Sequence, residues 1–168
     1  MTKLQTICAG LLTLFSSIFA ALPQIIEAPA VLAYVEERLP HQGLLKQTED
    51  GFLYIELPKE YVFEILPLLN RAHIAPPPYF EAAKVGAHIT VATAQEMADR
   101  GYPMSRYLGQ SIPFSIDSLC QVELENSQLG SKLYMLKIES PTIAEIRQHL
   151  GLSPKIRGYD FHITVAVE

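Results

Sequence analysis

Many apolar positions of the chain recur with the two-residue spacing of β-strands. From Ile112 to Leu124 the even positions are Ile, Phe, Ile, Ser, Cys, Val and Leu, whereas the odd positions are mostly polar. This period of two predicts a long half-buried strand, bent near Ser118. Shorter strands are predicted at residues 52–57, 87–92, 133–139 and 161–167.

Other apolar positions recur at the three- and four-residue spacing of helices. Helices are predicted over 30–39, after Pro58, after Thr93 and after Ser140-Pro141. Pro67 should kink or end the second of these early. Residues 93–96 match a capping box, in which a Thr hydroxyl and a Glu carboxylate satisfy the first amides of a helix. The mixture of strands and helices predicts an α+β fold.

The two halves of the chain carry the same order of elements. Residues 53–92 are predicted as strand, helix, strand, and residues 133–166 repeat that order. Both units end on the string His-Ile-Thr-Val-Ala, at 88–92 and at 162–166. Five identical residues in equivalent places indicate an internal duplication. Packing alone could preserve the aliphatic residues, but it does not explain the histidine, because a polar ring in a strand must be hydrogen bonded or used.

In both strings the histidine and the threonine share one strand face. Side chains alternate between the faces of a strand, so His88 lies beside Thr90 and His162 beside Thr164, with aliphatic residues on the opposite face. We expect the aliphatic faces to pack under helices and the two His/Thr faces to line one groove. One imidazole could then accept a proton from an oxygen attacking a phosphodiester while the other protonates the leaving oxygen. The threonine hydroxyls could donate to the non-bridging phosphate oxygens.

This set of groups is a poor metal site. Two strand histidines without a cysteine or carboxylate in phase fall short of the three or four ligands expected of zinc. We therefore predict no metal ion, and metal-dependent hydrolysis is the weaker alternative.

The paired His-x-Thr strands within repeated strand–helix–strand units resemble the two-histidine (2H) phosphoesterase superfamily, which includes bacterial 2′,5′-RNA ligases and cyclic nucleotide phosphodiesterases. The resemblance covers about Leu53 to Glu168. It implies a bilobal α+β fold in which the duplicated units, with antiparallel sheets, surround a central phosphate-binding groove, and it implies that no cofactor is used. It also implies catalytic roles for His88 and His162 and phosphate binding by Thr90 and Thr164. The histidine-triad nucleotide hydrolases are excluded, because they need several histidines at alternate positions of one strand.

Residues just before each motif are possible substrate contacts. An aromatic ring there could stack on a base, and a cation could hold a phosphate. The alternative is that they are ordinary loop residues. The candidates are Tyr79, Phe80 and Lys84 before the first motif, and Lys155, Arg157 and Tyr159 before the second.

The acidic composition narrows the range of partners. The formal net charge is −5, which does not favour an extended nucleic-acid binding surface, because such binding depends on Lys and Arg. A nucleotide or an RNA end held in a local pocket stays possible. Cys120 falls on the apolar phase of the long strand, so we expect a buried structural thiol and not a nucleophile.

Residues 1–21 have the pattern of a signal peptide. Lys3 is followed by an uncharged apolar stretch, and Ala20-Ala21 precedes Pro23 at a suitable cleavage point. We therefore predict an exported protein, periplasmic or secreted, with a leader at 1–21, an N-terminal extension at 22–51 and a 2H phosphoesterase-like domain at 52–168. A retained membrane anchor is the alternative, since about 20 apolar residues can span a bilayer.

The function predicted from the sequence is metal-independent cleavage of a cyclic phosphate or 2′,5′-type phosphodiester on a nucleotide or RNA end. The main alternative is a non-catalytic protein that binds nucleotides or RNA ends on the same scaffold. A third possibility is a secreted interaction protein in which residues 22–51 recognise a partner. Turnover distinguishes the first from the others.

Overall fold

The computed structural model describes residues 22–80, 85–103, 105–124 and 130–168, so the predicted leader lies outside the described residues. Four α-helices and eight β-strands are found in the described part. The helices are α1 (Pro29–Arg38), α2 (Glu60–Phe63), α3 (Ala94–Asp99) and α4 (Pro141–His149). The strands are β1 (Gln24–Ile25), β2 (Gln42–Gln47), β3 (Leu53–Glu56), β4 (His88–Ala92), β5 (Ser111–Pro113), β6 (Ser115–Glu123), β7 (Lys132–Glu139) and β8 (Phe161–Val167).

All eight strands belong to one antiparallel sheet. Its order is β1-β6-β7-β8-β4-β3-β2-β5. The two strands that carry the His-Ile-Thr-Val-Ala string, β4 and β8, are therefore neighbours in the middle of the sheet. The fold is α+β, as the sequence predicted.

The long strand predicted over 112–124 is broken into two. Phe114 alone separates β5 from β6 in the chain, yet β5 is the last strand of the sheet order and β6 lies near its other end. The two sides of the sheet must therefore approach each other near Phe114, so the sheet is strongly curved. The bend predicted near Ser118 coincides with a register shift between Ile116 and Ser118.

The hydrophobic core lies between the helices and one face of the sheet. Ile89 and Val91 of β4, with Ile163 and Val165 of β8, are fully buried there, as the strand phase predicted. The helices contribute buried side chains to the same cluster, namely Val31 and Val35 from α1, Tyr61 and Val62 from α2, and Ile143 and Ile146 from α4. With this face occupied by the core, the His/Thr face is left for the site.

The helix ends follow the local chemistry of the sequence. Thr93 and Glu96 form the predicted capping box at the start of α3, and Ser140 accepts a hydrogen bond from the Ile143 amide at the start of α4. After α2 the chain continues as a 3-10 helix at Leu66–Leu69, which contains Pro67. Pro67 therefore ends the second helix early, as expected.

Residues 22–51 are integrated into the fold. The strand β2 pairs with β3 on one side and with β5 on the other. The fully buried Val31 and Val35 belong to the main core. None of the helices in the described part of the chain has the length and hydropathy of a membrane span.

Candidate active site

The pairing of β4 with β8 brings the two motifs together. Ile89 is paired with Ile163 in antiparallel register. One step along each strand, this register sets His88 opposite Thr164 and Thr90 opposite His162, all on the face away from the core. The two histidines are then diagonal neighbours, a relation that spaces residues by roughly 7–8 Å in antiparallel sheets.

These four side chains line one cavity. Its volume is about 120 Å³, far more than the roughly 10–15 Å³ that one water molecule needs, so a small ligand group can enter. The other described lining residues are Pro77, Tyr79, Thr93, Leu133, Ile156, Arg157, Tyr159, Asp160, Phe161 and Val167.

Both imidazoles are oriented by the same kind of backbone contact. His88 Nδ1 lies 2.7 Å from the Gly86 carbonyl oxygen, and His162 Nδ1 lies 3.2 Å from the Asp160 carbonyl oxygen. A carbonyl oxygen can only accept, so each Nδ1 carries the hydrogen and donates it. In the neutral ring Nε2 then has a lone pair, and Nε2 is the nitrogen through which each histidine can exchange a proton.

The surroundings of His88 are aromatic. Its ring lies 5.2 Å from that of Tyr79, 5.7 Å from that of Phe52 and 6.1 Å from that of Tyr54, measured between centroids. Burial lowers the pKa of His88 to about 4, a hydrogen bond to Gly86 partly opposes this shift, and His162 adds to it. His88 is therefore neutral at pH 7 in the ligand-free protein.

The surroundings of His162 are more polar. Burial lowers its pKa as well, but the Asp160 carbonyl and the Asp160 carboxylate both favour the charged ring. Acid–base catalysis by the two rings requires one neutral and one charged imidazole. In the ligand-free protein the pKa values of both are lowered, because both rings are desolvated, and a negatively charged ligand is needed to raise them.

Tyr79 connects the two halves of the site. Its hydroxyl is hydrogen bonded to that of Thr164, while its ring lies against His88. Burial raises the pKa of this phenol, so Tyr79 stays protonated at neutral pH. It offers the cavity a neutral hydroxyl beside the threonines.

The charges around the cavity are mostly paired. Lys137 Nζ lies 3.3 Å from both Asp117 Oδ2 and Asp160 Oδ2, and Lys155 also forms an ion pair with Asp160. Hydrogen bonds from Lys155 and Lys137 hold the pKa of Asp160 below its ordinary value, although desolvation of the carboxylate by itself would raise that pKa. Of the described residues that line the cavity, Arg157 alone carries a permanent positive charge.

The family model of the 2H phosphoesterase domain named Swiss Army Knife (2H-SAK) matches residues 53–168, more than half of the chain. The chain belongs to the 2H phosphoesterase family. This membership supports a hydrolase of the phosphodiesterase type. No curated protein and no solved structure matches the chain.

The six possible substrate contacts of this 2H phosphoesterase, chosen from the sequence, divide into three groups. Tyr79, Arg157 and Tyr159 line the cavity. Phe80 does not, because its ring packs edge-on against Phe63 at 5.5 Å, and Lys155 is directed to Asp160. Lys84 lies outside the described residues.

Arg147 is a residue of this 2H phosphoesterase that the sequence analysis missed. It is fully buried on α4, and it bonds groups next to the cavity in three different segments. The signal was available in the sequence. Arg147 falls four residues after Ile143 and one after Ile146, on the apolar phase of the helix, where a charge requires an explanation.

Within the described residues of this 2H phosphoesterase, no three His, Cys, Asp or Glu side chains are grouped so that they could hold a metal ion. The polar side chains that converge on the cavity are instead imidazoles, hydroxyls, one carboxylate and one guanidinium. Such groups can move protons and hold an anion.

Proposed function

We propose that this protein is a phosphoric diester hydrolase that cleaves a cyclic phosphate or a 2′,5′-type phosphodiester of a nucleotide or RNA end, without a metal ion. The observation that carries the proposal is the shared cavity of His88, Thr90, His162, Thr164 and Arg157. Two proton carriers and several donors to an anion thereby surround a space that admits a small group.

In the proposed reaction a water oxygen attacks phosphorus and the bond from phosphorus to one ester oxygen breaks. One histidine accepts the proton of the water through Nε2, and the other protonates the leaving oxygen. Each such proton transfer typically contributes about 10² to 10⁴-fold in rate. The net result is addition of water across one phosphate ester bond, with the protons redistributed between the two imidazoles.

The surroundings of the two rings favour His88 as the base and His162 as the acid. His88 is enclosed by aromatic rings and has a pKa of about 4, so its Nε2 keeps a lone pair at neutral pH. His162 has the Asp160 carboxylate nearby, which favours the protonated ring. The negative charge of a bound phosphodiester favours that protonation further.

The phosphate is held by the remaining polar groups of the cavity. The hydroxyls of Thr90 and Thr164 donate to non-bridging oxygens as negative charge moves onto them. Arg157 supplies the cationic contact, and its planar guanidinium suits two phosphate oxygens at once. Tyr159, which is 39% exposed at the rim, gives a base a ring on which to stack.

Two further features belong to the proposal. The order β7-β8-β4-β3 in the middle of the sheet is what a duplicated strand–helix–strand unit would produce, with two lobes related across the β4–β8 pair and the groove between them.

The uncharged stretch after Lys3 serves as an export leader in this proposal. Sequencing the N-terminus of the secreted or periplasmic protein would test it.

The decisive experiment incubates the purified chain with 2′,3′-cyclic nucleotides and with 2′,5′-dinucleotides in EDTA, and follows product by chromatography. The proposal expects product in EDTA and its loss in His88→Ala. Binding of these compounds without turnover, unchanged in His88→Ala, would support the non-catalytic binding protein instead. Activity that EDTA abolishes and added metal restores would support metal-dependent hydrolysis.

A further inference from the structure

Arg147 carries a charge in the interior of the protein, at 0% exposure. Its guanidinium pairs with Glu96 through both terminal nitrogens: Nη2 lies 2.7 Å from Oε1 and Nη1 lies 3.3 Å from Oε2. An apolar side chain of similar volume often stabilises a fold as well as a buried ion pair does. Stability alone is therefore a weak reason for an arginine at this position, and its other contacts indicate a more specific role.

These contacts reach three segments that border the cavity. Nη1 donates to the Val91 carbonyl, 2.6 Å away on β4 and directly after Thr90. The partner Glu96 accepts hydrogen bonds from the amide and hydroxyl of Thr93, which lines the cavity. Nε and Nη2 donate to the carbonyls of Ser153 and Lys155, at 2.7 and 3.1 Å. One side chain thus fixes both motif-bearing halves of the site relative to each other.

The segment held by the last two bonds leads directly into a tight turn. The Tyr159 amide donates to the Ile156 carbonyl at 2.8 Å, and the two central residues, Arg157 and Gly158, have φ of +49° and +82°. Positive φ at both central positions is characteristic of type I′ turns, and it is unfavourable for arginine. A residue held in such a conformation persists only where its surroundings determine it. Here the surroundings include the two carbonyls fixed by Arg147.

This turn carries the ligand-facing residues of its segment. Ile156, Arg157 and Tyr159 line the cavity with the two histidines. Arg157 itself is exposed, and the structure records no ion pair between it and a carboxylate of the described residues. Its place over the cavity therefore depends on the backbone that carries it.

We propose that Arg147 is a positioning residue: it holds the turn at 156–159 so that Arg157 binds the phosphate of the substrate. This inference rests on the proposed function. Arg147 does not touch the reacting atoms, so it acts on substrate binding through Arg157 and leaves the proton transfers between the histidines intact.

The first test is a double-mutant cycle on the phosphodiesterase reaction. Arg147→Lys keeps the charge beside Glu96 but cannot make the five bonds of the guanidinium. It should raise KM about tenfold and leave kcat within about threefold. In an Arg157→Ala background the same substitution should have almost no further effect on KM, because the residue through which it acts is gone. An unchanged KM, or a KM effect that persists without Arg157, overturns the proposal.

A second variant disturbs the turn without altering the core. Gly158→Ala adds a Cβ that meets no atom within 4 Å, so its effect comes from the positive φ alone. Gly101→Ala is the matched control, because Gly101 also has positive φ (+73°) and open space, but it lies outside the turn at 156–159. Gly158→Ala should reproduce the KM rise and Gly101→Ala should not. Equal KM values in these two variants overturn the proposal, even if Arg147→Lys does not fold.

Binding of inorganic phosphate separates this inference from the proposed function. Calorimetric titration of the wild-type chain, Arg147→Lys, Gly158→Ala and Gly101→Ala requires no turnover. If no phosphodiester is cleaved by the wild type, the proposed function fails. About tenfold weaker phosphate binding in Arg147→Lys and Gly158→Ala, with Gly101→Ala unchanged, would still support the positioning role. Equal affinities in all four proteins would overturn it.

Discussion

Ile89 and Ile163 face each other across β4 and β8, and this pairing determines the neighbours of the site residues. Both isoleucines are fully buried in the core. A slip of one residue would exchange the faces of a strand and place its histidine in the hydrophobic core. The hydrophobic effect that places the isoleucines therefore also places His88 opposite Thr164 and His162 opposite Thr90.

Replacing either histidine should remove most of the activity. His88→Ala and His162→Ala should each lower kcat/KM by two to four powers of ten, because in the proposed reaction each ring is the proton carrier of its half. The double variant should lose little more than either single variant, since acid and base serve one transition state. Steady-state kinetics measures these losses, and circular dichroism verifies the fold.

The control for both variants is His73→Asn, at an exposed position with φ of +63°. Asparagine tolerates that conformation well, and His73 does not line the cavity. Its rate should equal that of the wild type. Near wild-type rates in folded His88→Ala and His162→Ala would locate the active site elsewhere.

The threonine variants should be milder. Thr90→Val and Thr164→Val each remove one neutral donor among several, which costs about 1–3 kcal/mol, or roughly 5- to 150-fold in kcat/KM. Thr164→Val should have the larger effect, because it also deprives Tyr79 of its hydrogen-bond partner. Tyr79→Phe tests the contribution of this hydrogen bond. The substitution should lower the rate more in the wild-type background than in the Thr164→Val background, where the hydrogen bond is already lost. Additive effects of Tyr79→Phe and Thr164→Val would show that this hydrogen bond does not matter for the reaction.

Burial of His88 should make the fold less stable in mild acid. Its folded pKa of about 4 lies below the ordinary 6.5, so the unfolded chain binds more protons between these values. The stabilisation is present above pH 6.5 and is lost as the pH falls toward 4. His88 alone accounts for about 2 kcal/mol of this loss between pH 7 and pH 5, and His162 acts in the same direction.

Urea denaturation of the wild type, His88→Asn and His73→Asn at pH 7, 6 and 5 measures this effect. The free energy of unfolding should fall less steeply with acid in His88→Asn than in the other two. This pH range lies above that in which carboxylates such as Glu96 titrate. The same slope in all three proteins would mean that His88 is not desolvated in the folded state.

More of the candidate site than of the fold could be predicted from the sequence. The repeated string sets His88 and Thr90 on one strand face by geometry alone, and the aliphatic phase determines which face is buried. The break at Phe114 was not predictable, because it depends on how β5 returns to β2 at the other side of the sheet. The strand β2 was missed, because Gln42–Gln47 contains two adjacent leucines and no alternation.

The contacts around the motifs also depend on tertiary structure. Phe80 and Tyr79 are adjacent and equally aromatic in the sequence, yet Phe80 packs on Phe63 while Tyr79 reaches Thr164. Lys155 is a possible substrate contact from its position before the second motif, and in the fold it forms an ion pair with Asp160. No local pattern distinguishes these outcomes, because they follow from which residues the loops bring together.

The pH dependence of the reaction tests the roles of the two histidines separately. The profile of kcat/KM reports the groups of the free enzyme, and the pKa values of both imidazoles are lowered there. The profile should therefore be bell-shaped with both limbs below about pH 6.5, the acid limb near pH 4 for His88 as base. The kcat profile should lie at higher pH, because bound phosphate stabilises the charged rings.

The Asp160→Asn variant tests which histidine is the acid. It removes a carboxylate that favours the protonated His162, so it should move the alkaline limb of kcat/KM to lower pH. Asp117→Asn is the matched control, because Asp117 pairs with the same Lys137 and should leave that limb in place. If Asp160→Asn moves the acid limb instead, His162 is the base and the two roles are reversed.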